Sequence, residues 1–317
     1  MNIAKNYIAK VIKEIDEFSP HFFLRKDFIN YQLKFFGEQI IYLGVYSESD
    51  QSLYAYCSFV SREGHWINPI TGGFGGIVSK KNTSIAALET LIKNIPNLIL
   101  SKSPVKSISF KIPPTCFSSE VAIILNILFR NNWIHTCFDL NYHLEILPPD
   151  KYFKTLSKTN KKFINKLEIL GAKFMKSDLS EIANIYDIIK ENRTSKGFPT
   201  TMTFEALSEL VEKFQSDIRL FSVSVNKETV ASSVCIQVSS KYLYVFYWGQ
   251  LPKYNKISPI LFLAKGIVKY CYENGIKIMD LGTSSANSKP NIGLCDFKKR
   301  LGCKITQKSI YQWKKNS

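Results

Sequence analysis

"MDLGTSSANSKPNIGLCDFKKRLGC", residues 279–303, sets a strand end directly against a polar loop and a short basic helix. Ile276, Ile278 and Leu281 alternate as a strand with Asp280 at its carboxyl end. A loop of glycine, threonine and serines follows, and 292–301 then takes helical period and stops at Gly302. Strand ends that face a cleft are where α/β proteins keep their chemistry, so this loop is expected to meet a substrate.

Working outward, 218–225 alternates as a strand, Asn226-Lys227-Glu228 makes a turn, 230–238 and 242–248 are further strands, and 258–273 has helical period. With a last strand at about 304–312, the order is β-β-β-α-β-α-β. The first half repeats it: strands at 39–46, 53–61 and near Trp66, a helix at 83–95, a strand at 106–111, a helix at 119–132 and a strand at 134–146. Matching order in both halves argues for a duplicated unit. The prolines of LPPDK, 147–151, mark the boundary, giving domains 1–150 and 151–317. Each domain is expected to be α/β, an antiparallel meander followed by a βαβ crossover, in a mixed, mostly antiparallel sheet flanked by helices. The opening MNIAKNYIAKVIKEIDEF reads as an amphipathic helix and not as a signal peptide.

The chain has 317 residues, 45% hydrophobic and 21% charged, a composition that excludes disordered and fibrous classes. No window reaches about 18 uninterrupted apolar residues, so no membrane span is expected. The seven cysteines form no CxxC pair, which suits thiols in a reducing cytoplasm, and the four scattered histidines give no metal site. Net charge is +16, from 42 Lys and Arg against 26 Asp and Glu, and it points to polyanionic partners: nucleic acid, coenzyme A or nucleotide-sugars. The surplus is dispersed, with concentrations at 151–166, 253–256 and 298–300, so solvated faces account for it equally well.

DLGTSS (280–285), NIGLCDFKKRLGC (291–303) and LSKTNKKFINKLEILGAKF (156–174) together resemble the FemAB-like tandem-GNAT acyltransferases, and NPITGGFGGI (68–77) resembles the glycine-rich loop of their first domain. One branch of that family takes aminoacyl-tRNA; the other takes an acyl thioester of coenzyme A. ENRTSKGFPTTMTFEAL (191–207) is too short for the helical arm of the tRNA-dependent branch. The block 247–275 is similar to enzymes that acylate nucleotide-linked amino-sugars, of the dTDP-3-amino-3,6-dideoxyhexose type, for lipopolysaccharide O-antigen and other surface polysaccharides. The resemblance therefore implies a cytoplasmic acyl-CoA-dependent N-acyltransferase with a dTDP-linked amino-sugar as acceptor, acting by direct attack without an acyl-enzyme. The alternatives are an aminoacyl-tRNA-dependent ligase and a non-catalytic nucleic-acid-binding protein on this scaffold. The charge permits the last, but no basic-aromatic RNA motif supports it.

The expected site follows from these segments. Ser258-Pro259 reads as a helix start able to hold a coenzyme A pyrophosphate, helped by Lys253 and Lys256, although the glycines of the superfamily's usual pyrophosphate loop are missing. The aromatic strand ending in Tyr247, Trp248 and Gly249 is implied by the resemblance to face the thioester, with Tyr247 or Trp248 at the acyl group. The same aromatics would serve equally as core. Asp280 is the candidate to orient or deprotonate the amine; its structural reading is a cap for the loop at Gly282 and Ser284. Lys298 is the candidate phosphate contact, and Asn291, the expected helix cap, is together with Ser284 a candidate to bind the acceptor. Glu191, Arg193 and Lys196, in a loop between helices, would meet the acceptor. Gly73 and Phe74 in TGGFGG (71–76) would let backbone approach a ligand. Cys295 alone among the thiols has a case as a nucleophile, against which stands its neighbour Asp296.

Overall fold

The computed structural model describes residues 6–13 and 21–315, which form two compact units. The first holds residues up to Leu140, Asn287–Lys289 and the chain from Thr306; the second holds Asn141–Ala286 and Pro290–Ile305. LPPDK therefore lies within the second unit, where it starts a helix.

The first unit contains β1 (Tyr7–Ile12), α1 (Lys26–Phe36), β2 (Gln39–Ser47), β3 (Leu53–Arg62), β4 (His65–Asn68), β5 (Val78–Ser79), α2 (Ile85–Leu100), β6 (Ser107–Lys111), α3 (Glu120–Arg130) and the opening residues of β7 (Ile134–Glu145). Strands β1 to β4 form an antiparallel meander, α2 carries the chain to β6, which runs parallel to β4, and the C-terminal residues of the chain pair antiparallel with β6. The core joins β2, β3 and β6 to the apolar faces of α2 and α3, with Leu43, Phe59, Leu91, Ile92, Ile108 and Ile127 buried at its centre.

The amphipathic helix expected at the start is corrected. Residues 7–12 are a strand, because Tyr7, Ala9 and Val11 pack inward while Ile8 and Lys10 point out, a period of two hidden inside a longer helical-looking window. The rest of that expected helix, residues 1–5 and 14–18, lies outside the described residues.

The second unit begins with the end of β7 and continues through α4 (Pro149–Thr155), α5 (Lys158–Ile169), β8 (Lys173–Ser177), α6 (Ile182–Thr194), α7 (Phe204–Lys213), β9 (Ile218–Val225), β10 (Glu228–Ser239), β11 (Tyr242–Gln250), α8 (Pro259–Glu273), β12 (Ile278–Thr283), the two-residue strand β13 (Ser285–Ala286), the second residue of β14 (Lys289–Pro290), α9 (Ile292–Arg300) and the start of β15 (Lys304–Lys314). Its sheet order is β7-β12-β11-β10-β9-β8. Again four antiparallel strands are followed by a helical crossover and a parallel fifth strand. The two units thus share one topology, the tandem arrangement expected. Helices α4, α5 and α8 pack together, with α8 on the sheet, and α6, with α7 against it, covers β10 and β11. Among the described residues no helix is long and apolar enough to cross a membrane.

Candidate active site

The second unit's geometry is set by how β11 and β12 meet. These parallel strands pair at only three positions, Tyr242↔Ile278, Leu243↔Met279 and Tyr244↔Asp280, and β11 then runs on to Gln250 without that neighbour. Its partner β10 steps from Val234↔Tyr247 to Cys235↔Val245, leaving Phe246 as an extra residue. Such a bulge reverses the alternation of side chains beyond it. Leu243 and Val245 lie in the core under α8; past the bulge Tyr247 turns to the α6 side, where the Arg193 guanidinium stands 5.9 Å over its ring, and Trp248 meets Phe297 of α9 at 6.0 Å.

A cavity of about 540 Å³ lies at this strand end. Trp248, Leu294 and Phe297 give it apolar walls, Arg193 and Lys196 bring positive charge from the end of α6, and Ser258, Asn291 and Gly293 come from the starts of α8 and α9. Gly249 is required here: a Cβ would stand 2.9 Å from Cβ of Asn192 and 3.2 Å from Cα of Ile189, so α6 lies directly on the strand. Asn192 fastens the contact by donating Nδ2 to the Gln250 carbonyl at 2.7 Å. Burial, and then Arg193, lower the pKa of Lys196.

The two helix starts differ. At α8 the Ile260 N–H is taken by Gln250 Oε1 at 3.0 Å and the Leu261 N–H by the Ser258 carbonyl at 3.0 Å. Ser258 sits at φ +50°, a left-handed conformation uncommon for serine, and its side chain makes no cap. At α9 the Asn291 side chain accepts from the Leu294 N–H at 3.0 Å, as a cap should, while the Ile292 and Gly293 N–H groups have no acceptor among the described residues.

The expected residues scatter accordingly. Trp248, Gly249, Ser258, Arg193, Lys196 and Asn291 line one cavity. Tyr247 stands just behind it, its hydroxyl bonded to Thr201 and its pKa raised by burial. Glu191 is exposed on α6, which extends to Thr194, so Glu191 and Arg193 belong to a helix end and not to the expected loop. Lys253 is exposed and paired to Glu228 at 2.6 Å, and Lys256 is exposed; neither lines the cavity. The Ser258 side-chain cap and the open α8 donors are thus corrected, because Gln250 already fills that role.

Lys298 is corrected as a phosphate contact. It is 1% exposed, and its Nζ donates to the carbonyls of Leu281, Gly282 and Thr283 at 2.8, 2.8 and 3.1 Å, with the Tyr142 ring 5.5 Å away. An ammonium has three protons, and all three are used. Asp280 is 0% exposed and accepts from Asn141 Nδ2 at 2.9 Å, the Tyr242 hydroxyl at 2.6 Å and the Gly282 N–H at 2.8 Å. Together the two residues shape the DLGT turn from beneath. Ser284 is buried, its Oγ without a partner, and Cys295 is buried with its thiol toward the Ser284 carbonyl at 3.6 Å. In the first unit Gly73 is buried and Phe74 is core, packed edge-on to Phe23 and Phe117. Phe74 therefore anchors its loop and offers no side chain to a ligand.

Sequence reasoning missed Asn192, Gln250, Leu294 and Phe297. Asn192 was within reach: it continues the Ile185, Ile188, Ile189 face of α6, and a polar residue on a buried face needs a partner. Among the described residues no cluster of His, Cys, Asp and Glu could hold a metal ion.

Residues 152–299 match the acetyltransferase (GNAT) domain family. No curated protein matches the chain. Among solved structures, the chain is similar to "Crystal structure of FemX" at 13% identity and TM-score 0.72, covering 93% of this chain and 92% of that one. It is also similar to a tandem GNAT protein from the clavulanic acid biosynthesis pathway, at 8% identity and TM-score 0.54, covering 98% of this chain and 100% of that one. The C-terminal domain of a putative lysylphosphatidylglycerol synthetase from Agrobacterium fabrum matches at 11% identity and TM-score 0.55, covering 84% of this chain and 82% of that one. At these identities the likeness is one of fold: the chain has the tandem GNAT architecture.

Proposed function

We propose that this chain is an N-acyltransferase that moves an acyl group from coenzyme A to the amine of a nucleotide-linked amino-sugar, dTDP-linked by the resemblance of 247–275, in the second unit's cavity. The observation that carries the reading is the cavity's composition: aromatic walls beside Arg193, Lys196 and two unspent N–H groups of α9, all at the end of β11. Helix N-terminal N–H groups and guanidinium both suit phosphoryl oxygens. Coenzyme A and a nucleotide-sugar each bring a diphosphate. The pyrophosphate seat moves from the α8 start to the Arg193, Lys196 and α9 side, because the α8 donors are already bonded.

The chemistry asked of the site is modest. The neutral amine attacks the thioester carbonyl, the C–S bond breaks, and the thiolate leaves able to accept the amine's proton. No carboxylate lines the cavity, and Asp280 has every nearby donor committed to it. Asp280 then acts as a positioning residue for the turn above it. Trp248 flanks the acyl group, and Tyr247, held by Thr201, braces Arg193.

A second reading has one specific observation behind it. Lys151, Lys154, Lys158, Lys162 and Lys166 are exposed along α4 and α5, a density of charge that suits a nucleic-acid backbone and hence an aminoacyl-tRNA donor.

Thermal shift and calorimetry with coenzyme A, dTDP and tRNA separate the two. Coenzyme A and dTDP should each raise the melting temperature by mass action, and Arg193→Met/Lys196→Met should weaken both at least tenfold in a folded protein. Binding of tRNA alone, lost on Lys158→Glu/Lys162→Glu/Lys166→Glu, would replace the coenzyme A reading with the tRNA-dependent one.

A further inference from the structure

The first unit holds a set of hydrogen-bond donors that its own fold leaves unused, on the loop 69–76 between β4 and β5 and on two side chains that reach it from α1 and β6. Four side chains or backbone groups fix this loop. Gln32 Oε1 accepts from the Thr71 N–H at 3.0 Å, Asn68 Oδ1 from the Gly76 N–H at 2.6 Å, the Lys111 carbonyl from the Gly75 N–H at 2.8 Å, and His21 bonds the Gly75 backbone. Aromatic packing closes it from one side: at Gly72, φ +92°, a Cβ would already stand 3.0 Å from the Phe23 ring.

What remains is donor-rich. Gln32 is 0% exposed, yet Nε2 of the same amide that holds Thr71 has no partner. The N–H groups of Gly72 and Gly73 have no acceptor among the described residues, although Gly73 is buried. The Lys111 ammonium reaches the loop, donating to the Ile70 carbonyl at 3.0 Å with its other protons uncommitted, and Lys308 is the charged group that acts on it. Desolvation, and then Lys308, bring the Lys111 pKa down to about 8, and no carboxylate opposes this.

Buried donors are ordinarily satisfied, and an unpaired one costs about 1–3 kcal/mol. Here an amide N–H from Gln32, two consecutive backbone N–H groups, the first on the left-handed Gly72, and the Lys111 ammonium meet at one loop. Consecutive N–H groups in such a turn form a concavity for an anion.

We infer that the loop 69–76, with Gln32 and Lys111, is an oxyanion site of the first unit that takes a phosphate or diphosphate group. The site stands apart from the second unit's cavity in sequence and in residues, and the inference holds whatever chemistry that cavity performs.

The probe is inorganic pyrophosphate added to protein labelled with ¹⁵N-glycine. Thr71-Gly72 is the chain's only Thr-Gly pair, so ¹³C-carbonyl threonine identifies the Gly72 amide among the 15 glycine signals. A saturable shift of Gly72 is expected in the wild type and in Arg193→Met/Lys196→Met, which removes the two cations lining the second unit's cavity. Lys111→Met should raise the dissociation constant at least tenfold, and Lys111→Arg should largely restore binding. A Gly72 signal that does not move, or drifts without saturating, overturns the inference, and so does equal affinity in folded Lys111→Met. Should Lys111→Met fail to fold, the wild-type titration decides alone, with the exposed Gly171 as the reference that must stay still.

Discussion

Lys298→Met asks whether the buried ammonium holds the DLGT turn or serves a ligand. Methionine keeps the length and apolar bulk of the side chain and leaves the carbonyls of Leu281, Gly282 and Thr283 without their donor. Each bond to a charged donor is worth about 1.5–3 kcal/mol, and part of that total returns because a desolvated charge disappears. The net loss at neutral pH is about 3 kcal/mol. A second signature is pH dependence. Burial lowers the Lys298 pKa from 10.5 to about 8, despite the opposing pull of Asp280. Between those values the unfolded chain holds a proton that the folded one has lost, so stability rises with pH, by about 1.4 kcal/mol per unit where the difference is a full proton. The contribution is complete above the unfolded value and is lost as pH falls toward about 8. Methionine has no such slope. Urea unfolding followed by circular dichroism, for both proteins at pH 7 and about pH 9.5, should show the wild-type advantage widening by about 2 kcal/mol at the higher pH. Coenzyme A affinity of the folded variant should be within threefold of wild type. Unchanged stability with lost coenzyme A affinity would refute the reasoning and return Lys298 to the ligand.

Asp280→Asn replaces an all-acceptor group facing three donors with one that must present an N–H₂, so the melting temperature should fall, by about 2–4 kcal/mol in stability. Unaltered melting with abolished acyl transfer would instead make Asp280 a participant in the chemistry. Gly249→Ala drives a methyl group into Asn192 and Ile189 and should cost about 1–3 kcal/mol while weakening coenzyme A binding. Identical melting and binding would mean that α6 does not rest on β11 as described. His21, whose pKa burial lowers to about 4, should make wild-type stability decline as pH falls from about 6.5 toward 4, because the unfolded chain protonates first; His21→Phe should flatten that part of the curve, as read by urea midpoints at pH 7 and pH 4.5.

Most of the architecture was legible because both units obey simple periods. The strand at 218–225 alternates, those at 228–239 and 242–250 are short β-branched or aromatic runs bounded by turns, and α2, α3 and α8 carry wide apolar faces, so order and type could be read within a few residues. What the periods conceal is a change of face in mid-strand. In YLYVFYWGQ every second position looks equivalent, and only the pairing of β10 with β11 reveals that Phe246 is extra and that Trp248 has crossed to the side of Phe297. The strand at 7–12 failed for the opposite reason: six alternating residues were absorbed into a longer window whose lysines and glutamates happen to recur at helical spacing.

The candidate site was less legible because charge in a sequence says nothing about which donors are already spent. Lys253, Lys256 and Lys298 stand out on the page, yet one is paired to Glu228, one is exposed away from the cavity, and one is consumed by three carbonyls. Ser258-Pro259 carries the right residues for an open helix start, but Gln250, eight residues upstream of Ser258, has folded back to close it. Conversely, α9 begins with Asn291, whose side chain satisfies Leu294 and leaves Ile292 and Gly293 without an acceptor among the described residues, so the helix with the weaker sequence signal keeps the open donors. The same accounting picks out the glycine loop of the first unit. TGGFGG looked permissive because of its glycines, whereas what distinguishes it is the distant pair Gln32 and Lys111, whose donors exceed the acceptors the fold supplies. A ligand site in this protein is therefore found by subtraction, as the donors left over once caps, turns and ion pairs have taken theirs.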